Sequence, residues 1–146
     1  MTKIGIISGY FNPIHPGHVS IIREAASLCD FLIVIVNSDL QVKIKGSVAF
    51  MDEWARCEIV QNIKGVYEAY LSIDKDSTVV ESIRAINNRF KSNSKIFFGN
   101  GGDRGPDAAE VPEVKFCKNN GIELVYELGD KKRYSSSQLI RNSTHD

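Results

Sequence analysis

The chain has 146 residues, of which 42% are hydrophobic and 25% are charged, a composition typical of one globular domain that buries a core. Its 18 lysine and arginine residues balance 18 aspartate and glutamate residues, so the formal net charge is zero. This balance argues against a protein that coats nucleic acid, because such proteins need excess positive charge to displace counterions.

Strand and helix patterns alternate along the chain. The strand patterns lie at 3–8, 31–36, 66–73, 95–98 and 122–126, and the helix patterns at 19–28, 52–63, 78–90, 111–118 and 136–140. We predict a loop at 37–50, Asp52 as an N-cap, and an edge position for the strand at 66–73, which mixes polar and apolar residues. The alternation predicts one α/β domain over residues 1–146, a five-stranded parallel sheet with helices on both faces. Ligands bind at the carboxyl ends of the strands in such sheets.

Glycine, proline and histidine are concentrated between the first strand and the first helix, in the segment GYFNPIHPGH at 9–18. We expect Gly9 to allow a tight turn and Gly17 to let the backbone approach a ligand closely. The start of the following helix directs N–H groups and the positive end of its dipole at an anion. His15 and His18 are three residues apart, so both can face one ligand and donate hydrogen bonds to an α-phosphate in its transition state.

Two other interpretations of the histidines remain open. They can be ordinary polar loop residues, although two of the three histidines of the chain fall in this one turn. They can also form a metal pair, but H-x-x-H has no third ligand nearby, so we expect no metal held by the protein itself.

The segment resembles the G-x-F-D-P-x-H-x-G-H signature of the cytidylyltransferase-like nucleotidyltransferase superfamily. The resemblance implies a Rossmann-like fold, with catalytic roles for His15 and His18. The residues that it implies for nucleotide binding in this segment are Gly9, Tyr10, Phe11, Asn12 and Gly17. Asn12 stands where many members have aspartate, which removes a negative charge near the nucleotide phosphates.

A second resemblance lies near the end of the chain, where YSSSQLIR at 134–141 is similar to the family signature I-S-S/T-T-x-L/I-R. The hydroxyl and backbone N–H groups of Ser135, Ser136 and Ser137, at a helix start, suit the β- and γ-phosphates. Taken alone, three serines are more often a helix cap or a surface loop. The two signatures together span nearly the whole chain.

Polar residues after the second strand are candidates for contacting phosphates and the acceptor. Family members often have a lysine there that reaches the α-phosphate, which implies a catalytic role for Lys43. Lys45, Asn37 and Asp39 are candidate acceptor ligands. The alternatives are solvated loop charges for the lysines and a local backbone cap for Asp39.

The helix that follows carries another candidate, because Arg56 matches an arginine of related enzymes that contacts phosphates. We therefore predict that Arg56 binds the acceptor. The alternative is a surface ion pair with Asp52 or Glu53. Trp54 is either a partly buried core aromatic or a wall for the acceptor or the base.

The stretch GNGGDR at 99–104 follows the fourth strand, and the family binds base and ribose at this position. Gly99 and Gly102 would admit a flat base against the backbone, and Asp103 would accept from a ribose hydroxyl or a base amine. Asn100 is a further candidate for nucleotide binding. A simple turn at Asn100 is the alternative.

Cysteine use and the apolar runs bear on the location of the protein. Cys29, Cys57 and Cys117 are widely spaced and form no C-x-x-C pair, which favours reduced thiols. The amino terminus lacks the apolar core of a signal peptide, and Phe31–Val36, the longest apolar run, is too short to span a bilayer. We therefore expect a cytoplasmic protein that does not enter a membrane.

These features predict a nucleotidyltransferase in which an acceptor phosphate attacks the α-phosphorus of an NTP and pyrophosphate leaves. No protein nucleophile is needed, and Mg²⁺ is expected, bound mostly by phosphates and water. CTP is favoured as the donor, with an adenylyltransferase that uses ATP on a sugar phosphate or mononucleotide as the alternative. A nucleotide-binding sensor without catalysis is a further alternative. The resemblance also implies a homodimer, and the charge balance predicts no nucleic-acid partner.

Overall fold

The computed structural model describes residues 1–101 and 111–129, and the helix predicted at 136–140 lies outside them. Within the described residues the strands and helices follow the predicted order, with one additional helix. The strands are β1 (Thr2–Gly9), β2 (Phe31–Val36), β3 (Val66–Leu71), β4 (Ser94–Gly101) and β5 (Glu123–Leu128). The helices are α1 (Pro16–Ser27), α2 (Asp39–Ile44), α3 (Glu53–Gln61), α4 (Val80–Phe90) and α5 (Pro112–Asn119).

All five strands form one parallel sheet in the order β3-β2-β1-β4-β5. The predicted fold class is confirmed, and β3 lies at an edge as predicted. The chain builds outward from β1 on one side through β2 and β3, and on the other side through β4 and β5. The strand order therefore reverses between β1 and β4, and their carboxyl ends border the crevice in which such sheets bind ligands.

Side chains of β2 explain why its sequence is apolar throughout. Ile33 and Ile35 pack into a core beneath α4 and α5, whereas Leu32, Val34 and Val36 pack into a second core beneath α1 and α3. Because successive side chains of a strand point to opposite faces, a strand covered on both sides needs no polar positions. The predicted helices on both faces are therefore confirmed.

The prediction of a loop throughout 37–50 is wrong, because α2 occupies part of it. Ser38 is the N-cap of α2, and its side chain accepts a hydrogen bond from the Gln41 N–H. The Gln41 side chain accepts in return from the Ser38 N–H at 3.0 Å. This reciprocal capping box supplies partners to two backbone groups that a helix start otherwise leaves unpaired.

Strand β4 is longer than predicted and includes Gly99 and Asn100, which were expected to follow it. A Cβ atom on Gly99 would lie 2.5 Å from Leu128 Cδ1 and 3.1 Å from Ile7 Cγ2. Gly99 is thus needed where β4 packs between its neighbours, whether or not a base also approaches it.

No helix in residues 1–101 and 111–129 combines the length and the apolar character that a membrane crossing requires.

Candidate active site

Gly9 and Phe11 form the beginning of the candidate site, at the carboxyl end of β1. Gly9 ends the strand, and its carbonyl accepts a hydrogen bond from the Asn37 N–H at 2.9 Å. A Cβ atom on Gly9 would lie 2.9 Å from Phe11 Cζ. Gly9 is therefore needed to make room for the Phe11 ring, and not for the tight turn that the sequence suggested.

The Phe11 ring is buried and supports one of the two histidines. Its exposed fraction is 3%, and its centroid lies 4.8 Å from that of the His18 ring. The backbone of Phe11 adopts φ 52°, a left-handed conformation that few non-glycine residues take. This conformation turns the chain from β1 into the loop that leads to α1.

His15 and His18 together cap the start of α1, where their rings lie side by side; that both face one ligand stays a prediction. His15 is the N-cap, and its Nδ1 accepts a hydrogen bond from the Gly17 N–H at 3.1 Å. His18 Nδ1 accepts from the His15 N–H, also at 3.1 Å. The two rings stack with their centroids 3.8 Å apart. The pair thus occupies a capping box, a position that normally takes serine or threonine and glutamate.

These hydrogen bonds set the tautomer of both rings. Because each Nδ1 accepts a hydrogen bond, the proton of the neutral ring is assigned to Nε2, which becomes a donor. Burial lowers the pKa of His15. Burial, with a smaller contribution from His15, lowers the pKa of His18 to about 3. Both rings are therefore neutral hydrogen-bond donors at physiological pH.

The start of α1 suits an anion. The first turn contains no acidic residue, so no carboxylate cancels the positive end of the helix dipole. The Gly17 and His15 N–H groups already donate to the two imidazoles, so an anion here would meet the imidazole Nε2–H groups and the helix dipole rather than those backbone N–H groups. The two neutral histidines therefore lie at a point where a phosphate group is favoured.

Asn12 connects this loop to the segment that follows α2. Its Nδ2 donates to the Val48 carbonyl at 2.8 Å, and its Oδ1 accepts from the Phe50 N–H at 2.7 Å. The residue is 4% exposed. An aspartate could accept but not donate, so these two bonds explain why asparagine stands where many members of the superfamily have aspartate.

Arg56 lies beneath the site, with a fully buried side chain. Its Nη1 donates to the carbonyls of Tyr10 at 2.9 Å and Asn37 at 2.6 Å, and its Nε donates to the Met51 carbonyl at 3.0 Å. Its Nη2 forms an ion pair with Asp39 at 2.7 Å. Arg56 therefore joins the ends of β1 and β2 to the start of α3, and its binding to an acceptor stays a prediction.

The suggested surface ion pair of Arg56 with Asp52 or Glu53 is wrong. Asp52 caps α3 as predicted, since its carboxylate accepts from the Ala55 N–H at 2.8 Å. Glu53 accepts from the Asp39 N–H at 2.9 Å. The Asp39 carboxylate is thus paired with Arg56, while its backbone is held by Glu53.

The two predicted lysines are exposed at the end of α2. Lys43 is in the last turn, and Lys45 is the C-cap. The Nζ atom of Lys45 lies 4.3 Å from the centroid of the Tyr10 ring, a cation–π contact that brings α2 against the histidine loop. Burial, and to a lesser extent Glu113, raises the pKa of Tyr10.

Two buried polar residues near the site were not singled out in the sequence. Gln41 is fully buried, and its Nε2 donates to the carbonyls of Asp76 and Thr78 at 2.9 and 2.7 Å. Asp74 accepts from the N–H groups of Glu81 and Ser82 at 2.8 and 2.9 Å. Asp74 thereby caps α4, which has no side-chain cap at Val79.

The remaining predicted residues are placed as follows. Gly17 is in the first turn of α1, and Asn100 is in β4. Gly102, Asp103 and the three serines at 135–137 lie outside the described residues, so their roles stay predictions. Within residues 1–101 and 111–129, no group of three or more His, Cys, Asp or Glu side chains is arranged to hold a metal ion.

Three known proteins are similar to this chain. An FAD synthase from Methanosphaera stadtmanae is 31% identical over 92% of this chain and 88% of the relative. The bifunctional protein HldE of Hyphomonas neptunium is 37% identical over 58% of this chain, which spans only 18% of that relative. A lipopolysaccharide core biosynthesis protein from Thermoplasma volcanium shares the fold, with a TM-score of 0.64 at 20% identity over 92% of this chain and 100% of that one.

The cytidylyltransferase-like family model matches residues 6–142, which include the histidine loop, the sheet except for the start of β1, and the serine segment. The match covers nearly the whole chain. The FAD synthase, which aligns over most of its own length, belongs to the same superfamily. The chain therefore belongs to the cytidylyltransferase-like family of nucleotidyltransferases.

Proposed function

We propose that this protein transfers an adenylyl group from ATP to the phosphate of a small acceptor and releases pyrophosphate. The relative that aligns over nearly the whole chain is an FAD synthase, and FAD contains an adenylyl group. This similarity supports ATP as the donor, whereas the sequence alone favoured CTP. Cytidylyl transfer from CTP is the second candidate, because the matching family is described as cytidylyltransferase-like.

The observation that carries the proposal is the pair of neutral histidines at the start of α1. In the reaction, an acceptor phosphate oxygen attacks the α-phosphorus, and negative charge grows on the transferring group and on pyrophosphate. Nε2–H donors beside a helix N-terminus stabilise this charge without any proton leaving the protein. No covalent intermediate with the protein is required.

The lysines of α2 supply positive charge from the adjacent element. Lys43 and Lys45 are exposed, and their flexible side chains can follow a phosphate through the reaction. We propose that Lys43 contacts the α-phosphate and Lys45 the acceptor phosphate. Mg²⁺, if bound, would neutralise charge on the triphosphate, and phosphate and water oxygens would be most of its ligands.

Two exposed aromatic residues favour an acceptor that contains an apolar ring. Trp54 is 68% exposed and Phe50 is 57% exposed, so Trp54 is not the partly buried core residue that the sequence allowed. Phe50 is tied through its N–H to Asn12 of the histidine loop. Aromatic faces of this kind suit a flat ring system, and we propose flavin mononucleotide as the first acceptor to test.

The proposal is tested by measuring pyrophosphate release with Mg²⁺ and each of the four NTPs. The acceptors are flavin mononucleotide, a sugar 1-phosphate and glycerol 3-phosphate. We expect release with ATP and one acceptor. Release with CTP alone would make the protein a cytidylyltransferase, and NTP binding without release would make it a sensor.

A His18→Gln variant tests the role of the histidine pair. Glutamine at this position of a capping box still accepts from the N-cap N–H, so the helix start is preserved while the imidazole is lost. We expect kcat to fall about 10²–10³-fold, the usual cost of removing one donor to a developing charge. His15→Asn, which keeps an N-cap side chain, is the matched variant. Normal turnover in both variants would remove the histidines from the mechanism.

The homodimer and the cytoplasmic location stay predictions. All three cysteines are free thiols, which suits a reducing compartment. Gel filtration with light scattering measures the oligomeric state directly.

A further inference from the structure

A cleft lies at the end of the sheet where the strands begin, opposite the candidate active site at their carboxyl ends. Its volume is about 300 Å³, and the starts of β4 and β5 and the ends of α4 and α5 border it. Because all strands are parallel, their starts lie at the edge away from the histidines. A volume of this size is at the lower end of the range found for small-molecule sites.

Asn87 of α4 lines the cleft and is nine-tenths buried. Its backbone carbonyl accepts from the Lys91 N–H at 2.9 Å, as expected at the end of a helix. In residues 1–101 and 111–129, its carboxamide makes no hydrogen bond with another side chain or with the backbone. The N–H groups and the carbonyl oxygen of this carboxamide are therefore available to a group that enters the cleft, whether a ligand or water.

The charges around the cleft favour an anion. Lys91 and Lys95 line it, and neither forms an ion pair with another described residue. Glu123 supplies one negative charge, but its carboxylate is 3.7 Å from Lys3 Nζ. The carbonyl ends of α4 and α5 offset part of the lysine charge, and two positive charges against one negative remain in the lining.

We propose that this cleft binds a small phosphorylated molecule, with its phosphate between Lys91 and Lys95 and its polar body on Asn87. Ser94 and Asn120, which also line the cleft, add a hydroxyl and a second carboxamide. Inorganic phosphate carries the same charged group and is the smaller alternative source of it. The inference is independent of the reaction at the opposite edge.

The test is an NMR titration of the ¹⁵N-labelled full chain with inorganic phosphate and, separately, with glycerol 3-phosphate. We expect saturable shifts of the backbone amides at 91, 94–96 and 120–123. Tighter binding of glycerol 3-phosphate than of inorganic phosphate indicates that the polar body is recognised. Equal affinity for the two compounds indicates that the cleft binds free phosphate. Shifts that grow linearly with concentration, or shifts confined to the histidine loop, would overturn the proposal.

Paired lysine variants separate a specific site from general charge attraction. We expect the double variant Lys91→Gln/Lys95→Gln to bind at least tenfold more weakly at the cleft. The matched control is Lys115→Gln/Lys118→Gln, which removes the same charge from exposed lysines of α5 that do not line the cleft. Equal losses in the two double variants would show that only net charge matters and would contradict the site.

An Asn87→Leu variant distinguishes a binding role from a structural one. Since the carboxamide has no partner in the described residues, we expect a Tm no lower than that of the unchanged protein, with at least tenfold weaker binding. Asn88→Leu, at the exposed neighbouring position, should bind normally. A lowered Tm with unchanged binding would assign Asn87 to the fold and refute its role, and the lysine variants test the site even where this one does not fold.

Discussion

At the scale of single residues, the carboxamide of Asn12 uses both of its polar atoms, Nδ2 as a donor and Oδ1 as an acceptor. It donates to the Val48 carbonyl and accepts from the Phe50 N–H, in a position that is 4% exposed. Asn12→Asp keeps the acceptor but places a carboxylate oxygen against a carbonyl. We expect the free energy of unfolding to fall by about 1–3 kcal/mol, the cost of a buried group left without its partner. Urea unfolding measures the change.

Asn62→Asp is the matched control for Asn12→Asp. Asn62 also donates one hydrogen bond to a carbonyl, that of Glu58 at 2.8 Å, but it is exposed. Water replaces the lost donor there, while the new charge faces the carbonyl end of α3, so we expect a loss of at most about 1 kcal/mol. Equal losses of unfolding free energy at both positions would mean that the bonds from Asn12 to 48–50 add no more stability than an exposed hydrogen bond.

His18 makes stability depend on pH. Its pKa is about 3 in the folded protein, whereas an unfolded histidine has a pKa near 6.5. Between these values the unfolded state binds a proton that the folded state does not, so stability falls as pH falls. The slope from one such proton is at most about 1.4 kcal/mol per pH unit. The lowered pKa of His15 acts in the same direction.

His18→Gln should therefore reduce the loss of unfolding free energy that accompanies a fall in pH below about 6.5. Above that pH, loss of the His18 imidazole should not change how stability depends on pH. The measurement is the urea midpoint of both proteins at pH 7.5, 5.5 and 4.5. Parallel curves for the two proteins would mean that His18 is not held neutral by the fold.

At the scale of elements, Arg56 fixes how α2 and α3 meet the ends of β1 and β2. Arg56→Lys removes the planar set of donors that reaches two loop carbonyls and Asp39 together, and it leaves an ammonium group buried. We expect a loss of about 3 kcal/mol or more in the free energy of unfolding. Thermal and urea unfolding both report it.

Arg84→Lys is the comparison for Arg56→Lys. Arg84 forms an exposed ion pair with Glu81 on the surface of α4. Exposed pairs contribute about 1 kcal/mol or less, so this variant should unfold almost as the unchanged protein does. A small loss at Arg56, comparable to that at Arg84, would contradict its role in joining the elements.

The elements also show where sequence reasoning succeeds. The apolar run of β2 and the N-cap Asp52 were predicted because each rests on neighbouring residues alone. Helix α2 was missed although Ser38 and Gln41 form a capping box that is visible in the sequence. The bonds from Gln41 to the carbonyls of Asp76 and Thr78 could not be predicted, because no local pattern indicates which distant carbonyls need donors.

The candidate site divides in the same way. The proximity of His15 and His18 follows from their spacing at a helix start, whereas their reciprocal bonds through Nδ1 emerge only from the folded loop. Arg56 was recognised as a functional candidate, but its burial depends on three chain segments that meet only after folding. Local chemistry could therefore be inferred from the sequence, while the partners of each group could not.

At the scale of the whole molecule, the parallel sheet puts the histidine loop at one edge and the lysine-lined cleft at the other. If ATP binds only at the histidine edge, saturating ATP with Mg²⁺ should raise stability by about 2.7 kcal/mol at a concentration 100 times Kd. The same gain is expected in Lys91→Gln/Lys95→Gln, because distant sites act independently. His15→Asn/His18→Gln should gain less. Thermal unfolding with and without ATP measures all three proteins, and a gain lost in the lysine variant instead would place ATP at the opposite edge.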